Sequence, residues 1–154
     1  MIRQTFELPK YDWRVKVYYA VTGYHVRDIM ENLVDIGCNG EDLDNAYISL
    51  SSGNLNTGLT FSNERRGKTV IVIQLTTSAK EFLKSLRHEV GHLATHIAEA
   101  YDINTHGEEI QYIGDDIIDE MWDVARHFLC EDCRPQLRER MRQLGNEETH
   151  YKPY

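Results

Sequence analysis

Cysteine and proline are both scarce, at three each in 154 residues. The cysteines are Cys38, Cys130 and Cys133. An odd count does not make a disulfide framework and fits a reducing compartment, so the cytoplasm is the expected location. Long apolar runs are missing. No segment approaches the ~18 residues of a transmembrane helix, so no membrane partner is expected. The opening Met1-Ile2-Arg3-Gln4-Thr5-Phe6-Glu7-Leu8-Pro9 is charged and has no apolar core of a secretory signal. Basic charge is also short: 17 Lys and Arg stand against 25 Asp and Glu, a formal net charge of −8. That sign repels phosphate backbones and argues against nucleic acid as a partner. The local exception is Arg134, Arg138, Arg140 and Arg142. Internal repeats and low-complexity segments are absent.

What remains is an ordinary globular composition, 41% hydrophobic and 27% charged. The length suits one domain over residues 1–154, with a helical or frayed tail from about residue 134. Residues 13–21 alternate and are rich in β-branched and aromatic types, which reads as a strand. Residues 24–36 carry Val26, Ile29, Met30, Leu33 and Val34 at helical spacing, with Gly37 and Gly40 as stops. Residues 41–50 fit a short helix or, over Tyr47 to Leu50, a strand. Residues 58–62 and 69–74 read as two strands joined by a charged, glycine-containing hairpin loop. Two long helices follow, at about 78–101 and 108–129, and a short polar helix is expected over 134–145. The order predicts a small α+β domain with a mostly antiparallel sheet packed on helices.

The first long helix contains His88-Glu89-Val90-Gly91-His92. Residues four apart on a helix share a face, so His88 and His92 can aim two imidazole nitrogens at one point, as two ligands of a tetrahedral zinc must. Glu89 can reach a water on that metal without being a ligand, which is the position of a general base. Ser78, with Glu81 three residues on, predicts the helix start. Gly91 is a small residue beside the metal side. An acidic third ligand is offered by Glu108 or Glu109, which point about 100° apart and cannot serve in the same way.

Other residues have a chemical reading and a plainer one. His96, four beyond His92, is a candidate to stabilise a transition state or support a ligand, or it lines a helix interface. His106 caps the second helix or reaches a substrate oxyanion. Tyr112 lies four beyond Glu108, with core packing as its plainer role. Asp115 is placed to hold the far nitrogen of a ligand histidine, or is part of a solvated acidic face. Cys130-Glu131-Asp132-Cys133, with His127, lacks the four ligands of a structural zinc and reads as two reduced cysteines at a helix end.

The stretches Thr76-Thr77-Ser78-Ala79-Lys80-Glu81-Phe82, His88-Glu89-x-x-His92 and Gly107-Glu108-Glu109-Ile110-Gln111-Tyr112-Ile113-Gly114 together resemble the small zinc metallopeptidases of bacteriophages and prophages. Asn56-x-Gly58-x-Thr60-x-Ser62-Asn63 shares in the resemblance, which covers about residues 50–120. Those proteins are gluzincin-like: a Glu on the next helix completes a two-His site. The resemblance implies a zincin-like fold, one Zn2+ held by His88, His92 and Glu108, and Glu89 as base. Glu108 matches because it stands four before the Tyr of Tyr112-Ile113, with Glu109 as the alternative. The metzincin pattern is not met, since Ala98 stands where its third His belongs. The implied function is zinc-dependent hydrolysis of a protein or peptide in a bacterial host's cytoplasm. The alternative is a non-catalytic phage regulatory or assembly protein that keeps the zinc site.

Overall fold

Val70-Ile71-Val72-Ile73 offers apolar side chains to both faces of a strand, and such a strand is stable only between two covering layers. The computed structural model, which describes residues 1–53, 55–137 and 139, builds that arrangement. Strands β1 (Ile2–Leu8), β2 (Trp13–Val21), β3 (Gly58–Asn63) and β4 (Lys68–Gln74) form one sheet in the order β1-β2-β4-β3. β1–β2 and β4–β3 pair antiparallel, while β2 and β4 run parallel. The fold is therefore α+β with a mostly antiparallel sheet, as the element order predicts. The hairpin between β3 and β4 closes through Gly67, where φ is 62° and a Cβ would stand 2.6 Å from the Asp12 carbonyl oxygen.

Helices α1 (Val26–Asp35) and α2 (Gly40–Ser52) cover one face, packing Ile29, Leu33, Ala46 and Leu50 on Tyr18, Val21, Val70 and Val72. Helices α3 (Ala79–Ala100) and α4 (Glu109–Leu129) cover the other, against Val15, Val17, Tyr19, Ile71 and Ile73. Neighbouring residues of β2 thus feed opposite clusters until a bulge between Tyr18 and Val21, where Ala20 takes φ 56°. The bulge puts Tyr19 and Ala20 on the same cluster and returns Val21 to the other. No helix among the described residues is long and apolar enough to cross a membrane.

α3 starts as its sequence predicts. Ser78 accepts a hydrogen bond from the Glu81 amide at 3.1 Å, and the Glu81 carboxylate accepts from the Thr77 amide and hydroxyl. It ends at Asp102, whose φ of 55° turns the chain while the Ile103 amide reaches back to the Ala98 carbonyl. The start of α3 meets the end of α4: the Phe82 and Phe128 rings stack 4.7 Å apart. The two helices are therefore antiparallel. α4 also leans on β1, where Gln4 donates to the Glu120 carbonyl. The predicted short helix over 134–145 is helical at 134–137 and 139, and its other positions lie outside the described residues.

Candidate active site beside the edge strand

His88 and His92 stand one turn apart on α3, both exposed, with Nε2 atoms 3.1 Å from each other and rings at 82°. Two zinc–nitrogen bonds of 2.0–2.1 Å at a tetrahedral angle place their nitrogens about 3.3 Å apart. The pair already has that spacing, so the donor set fits two ligands of one metal. Ligand atoms of His88, Glu89 and His92 all lie within 4.8 Å of one another, the group among the described residues that could hold a metal ion.

Glu89 differs from its two neighbours in being only 2% exposed. It turns toward β3, where the Thr60 and Thr57 hydroxyls donate to its carboxylate at 3.1 and 3.3 Å. Burial pushes its pKa above the ordinary glutamate range, while the Thr60 hydrogen bond and the nearby histidines oppose the shift. A carboxylate tuned upward is the better proton acceptor near neutral pH. The close approach depends on Gly58. Its φ is 156°, and a Cβ there would stand 2.0 Å from the Val72 carbonyl oxygen and 3.2 Å from Glu89 Cγ.

His96 continues this face one turn on. Its Nδ1 lies 2.7 Å from Ser62 Oγ on β3. Its pKa is lowered, first by burial and further by His92, with Glu99 acting in the opposite sense. It lines a cavity of about 370 Å³ that Asp42, Asn45 and Ser49 of α2 share with Leu59 to Ser62 of β3. Glu89 opposite Thr60 and His96 opposite Ser62 show that α3 and β3 run in the same direction.

The structure does not bring Glu108 or Glu109 to this group. Both are exposed at the start of α4. Measured from the Phe82–Phe128 contact, Glu108 is 20 residues along α4 and His92 is 10 along α3, which separates them by about 15 Å of helix axis. The side matters too, since Glu89 and His96 of this face of α3 turn toward β3, whereas α4 leans on β1. His106 is exposed in the turn, where its amide donates to Asn104 Oδ1 at 2.9 Å. Tyr112 is 55% exposed, so it is not packed in the core. Asp115 is exposed on α4. Cys130 and Cys133 are free thiols in one turn, with the Cys130 Sγ accepting from the Cys133 amide at 3.4 Å. Sequence spacing missed Thr57, Thr60, Ser62 and Thr69. For Thr60 and Ser62 the signal is a strand whose small polar residues alternate with Leu59 and Phe61 and yet face a helix rather than water.

No family model matches the chain, and neither the curated proteins nor the solved structures include a significant match.

Proposed function

We propose that this chain is a zinc-dependent peptidase in which His88 and His92 hold the metal and Glu89 is the general base. The observation that carries this reading is the contrast within five residues. Two exposed imidazoles converge at 3.1 Å, and between them in sequence stands a carboxylate that is 2% exposed. Zinc bound there would acidify its water and polarise a scissile carbonyl. Glu89 would take the proton from that water and hand it to the departing amine. The Thr57 and Thr60 hydroxyls fix which way the carboxylate faces. β3 ends the sheet order, so its outer edge can pair with an extended peptide, giving main-chain hydrogen bonds with little sequence demand.

One observation favours the alternative of a metal-binding protein without catalysis. A catalytic zinc usually has three protein ligands, and Glu108 and Glu109 stand apart from the pair. Elemental analysis with a fluorogenic peptide library separates the readings. The peptidase reading expects about one zinc per chain, retained in Glu89→Gln, with turnover falling at least ~100-fold in that variant. Equal turnover in Glu89→Gln and wild type would overturn it. Glu108→Ala and Glu109→Ala assign the third ligand: zinc lost in one names it, and zinc kept in both leaves that position to water.

A further inference from the structure

A line of side-chain hydrogen bonds crosses the sheet beneath α3. Trp13 Nε1 lies 2.8 Å from Thr69 Oγ1, Thr69 Oγ1 lies 2.7 Å from Ser62 Oγ, and Ser62 Oγ lies 2.7 Å from His96 Nδ1. The direction of its first two links is set by the buried end. An indole N–H can only donate, so Thr69 accepts from Trp13 and must place its own hydrogen elsewhere. Ser62 is the acceptor in reach. The Ser62 hydroxyl is then free to donate onward to His96. The reverse direction would leave the hydroxyl hydrogen of Thr69, a residue 2% exposed, without an acceptor. In this direction each hydroxyl accepts one hydrogen bond and donates one, and the line ends with His96 Nδ1 accepting. A neutral imidazole that accepts at Nδ1 carries its hydrogen on Nε2. That nitrogen is at the far tip of the ring from Ser62, and the ring lines the cavity between α2 and β3.

The position of His96 along the strand says what it would meet. Glu89 sits at Thr60 and His96 at Ser62, two strand residues further on, or about 7 Å. An extended peptide on β3 repeats at the same rise. With its reacting carbonyl by His88 and His92, the carbonyl level with His96 belongs about two residues away. We infer that Trp13, Thr69 and Ser62 hold His96 as an Nε2–H donor to a main-chain carbonyl of a bound extended peptide, two residues from the bond that is cut. The inference rests on the peptidase reading for its ligand and on the hydrogen-bond line for its donor. His96 is thus a substrate-binding residue rather than one that stabilises the transition state, and Ser62 is the residue that positions it.

Two measurements test the two halves. In the metal-free full chain with 15N-labelled histidine, ring NMR is expected to show His96 protonated at Nε2 and unprotonated at Nδ1. Ser62→Ala should abolish that preference. A wild-type ring protonated at Nδ1 overturns the donor. In the zinc-loaded protein, on a fluorogenic peptide that wild type cleaves, His96→Ala should raise KM about five- to tenfold and leave kcat within about twofold, as loss of one binding hydrogen bond predicts. His96→Gln, whose amide can donate from nearly the same place, should recover part of the loss. A fall in kcat with KM unchanged would overturn the placement, because the donor would then act on the reacting carbonyl. No change in either constant would reduce His96 to packing. If no peptide is cleaved, the peptidase reading fails and removes the carbonyl acceptor with it, while the NMR result still stands or falls alone.

Discussion

The two sides of α3 are built from different materials. Toward α4 and the sheet centre it presents Leu86, Val90, Leu93, Ala94 and Ile97, all at most 5% exposed. Toward β3 it presents Glu89 and His96, with His88 and His92 at the rim. The apolar side needs no further explanation, since burying these side chains stabilises at roughly 25 cal/mol per Å². The polar side does. An isolated two-layer packing would be served better by aliphatic residues than by a buried carboxylate whose ionisation burial opposes. Sequences depart from the locally stable choice chiefly where function requires it. The comparison therefore assigns stability to one side of a single helix and leaves to the other the chemistry of the proposed function.

The comparison breaks most visibly if a cavity on the apolar side disturbs the site. Ile97 is fully buried in the cluster that joins α3 to α4. Ile97→Ala should cost about 2–5 kcal/mol in denaturant unfolding. Zinc per folded chain should stay as in wild type, because His88 and His92 are held by their own helical turn. Zinc lost from the folded variant would mean that the two sides are not separable.

Glu89→Gln sharpens the comparison from the other side, with a smaller effect and the opposite sign. Burial raises the Glu89 pKa, so the folded protein holds that proton more tightly than the unfolded chain. Stability of the metal-free protein therefore falls as pH rises from the ordinary glutamate range, near 4.3, through the raised value. At neutral pH the ionised carboxylate is a cost. Glu89→Gln should raise the melting temperature of metal-free protein at pH 7, and the advantage should shrink as the pH is lowered. A variant less stable than wild type at pH 7 would show instead that the Thr57 and Thr60 hydrogen bonds make Glu89 a structural residue.

Most elements could be read from local pattern, because periodicity reports burial on one face of one segment. β2, β3, β4, α1, α3 and α4 all follow it to within a few residues. β1 did not stand out, since the alternation of Ile2, Phe6 and Leu8 is interrupted by Gln4. Gln4 is nonetheless buried, satisfied by the Tyr19 hydroxyl at 2.7 Å and by α4. α2 was ambiguous between helix and strand because only Ala46 and Leu50 of its turns are buried. In the site, the His88–Glu89–His92 spacing is local and was fully legible. The Glu108 distance is not local: a short turn brings the start of α4 beside the end of α3, far from residues in the middle of α3. The His96 line was equally hidden, since it depends on Ser62 standing opposite Thr69 in the β3–β4 register.

The smallest expected effect concerns the residue between the two sides. Gly91 is exposed, and a Cβ built on it meets nothing within 4 Å. A glycine inside a helix costs roughly 0.5–1 kcal/mol relative to alanine, because the unfolded chain has more freedom to lose. Packing gives no reason for it here, so Gly91→Ala should stabilise the protein by about that amount in thermal unfolding. Its place one residue before His92 makes the zinc content of the same variant informative. Stabilisation with zinc unchanged would leave α3 with an ordinary surface position there. Stabilisation with zinc or peptide turnover lost would show that the space beside His92 must stay open. That would extend the chemical side of the helix round to a face that nothing in its packing requires.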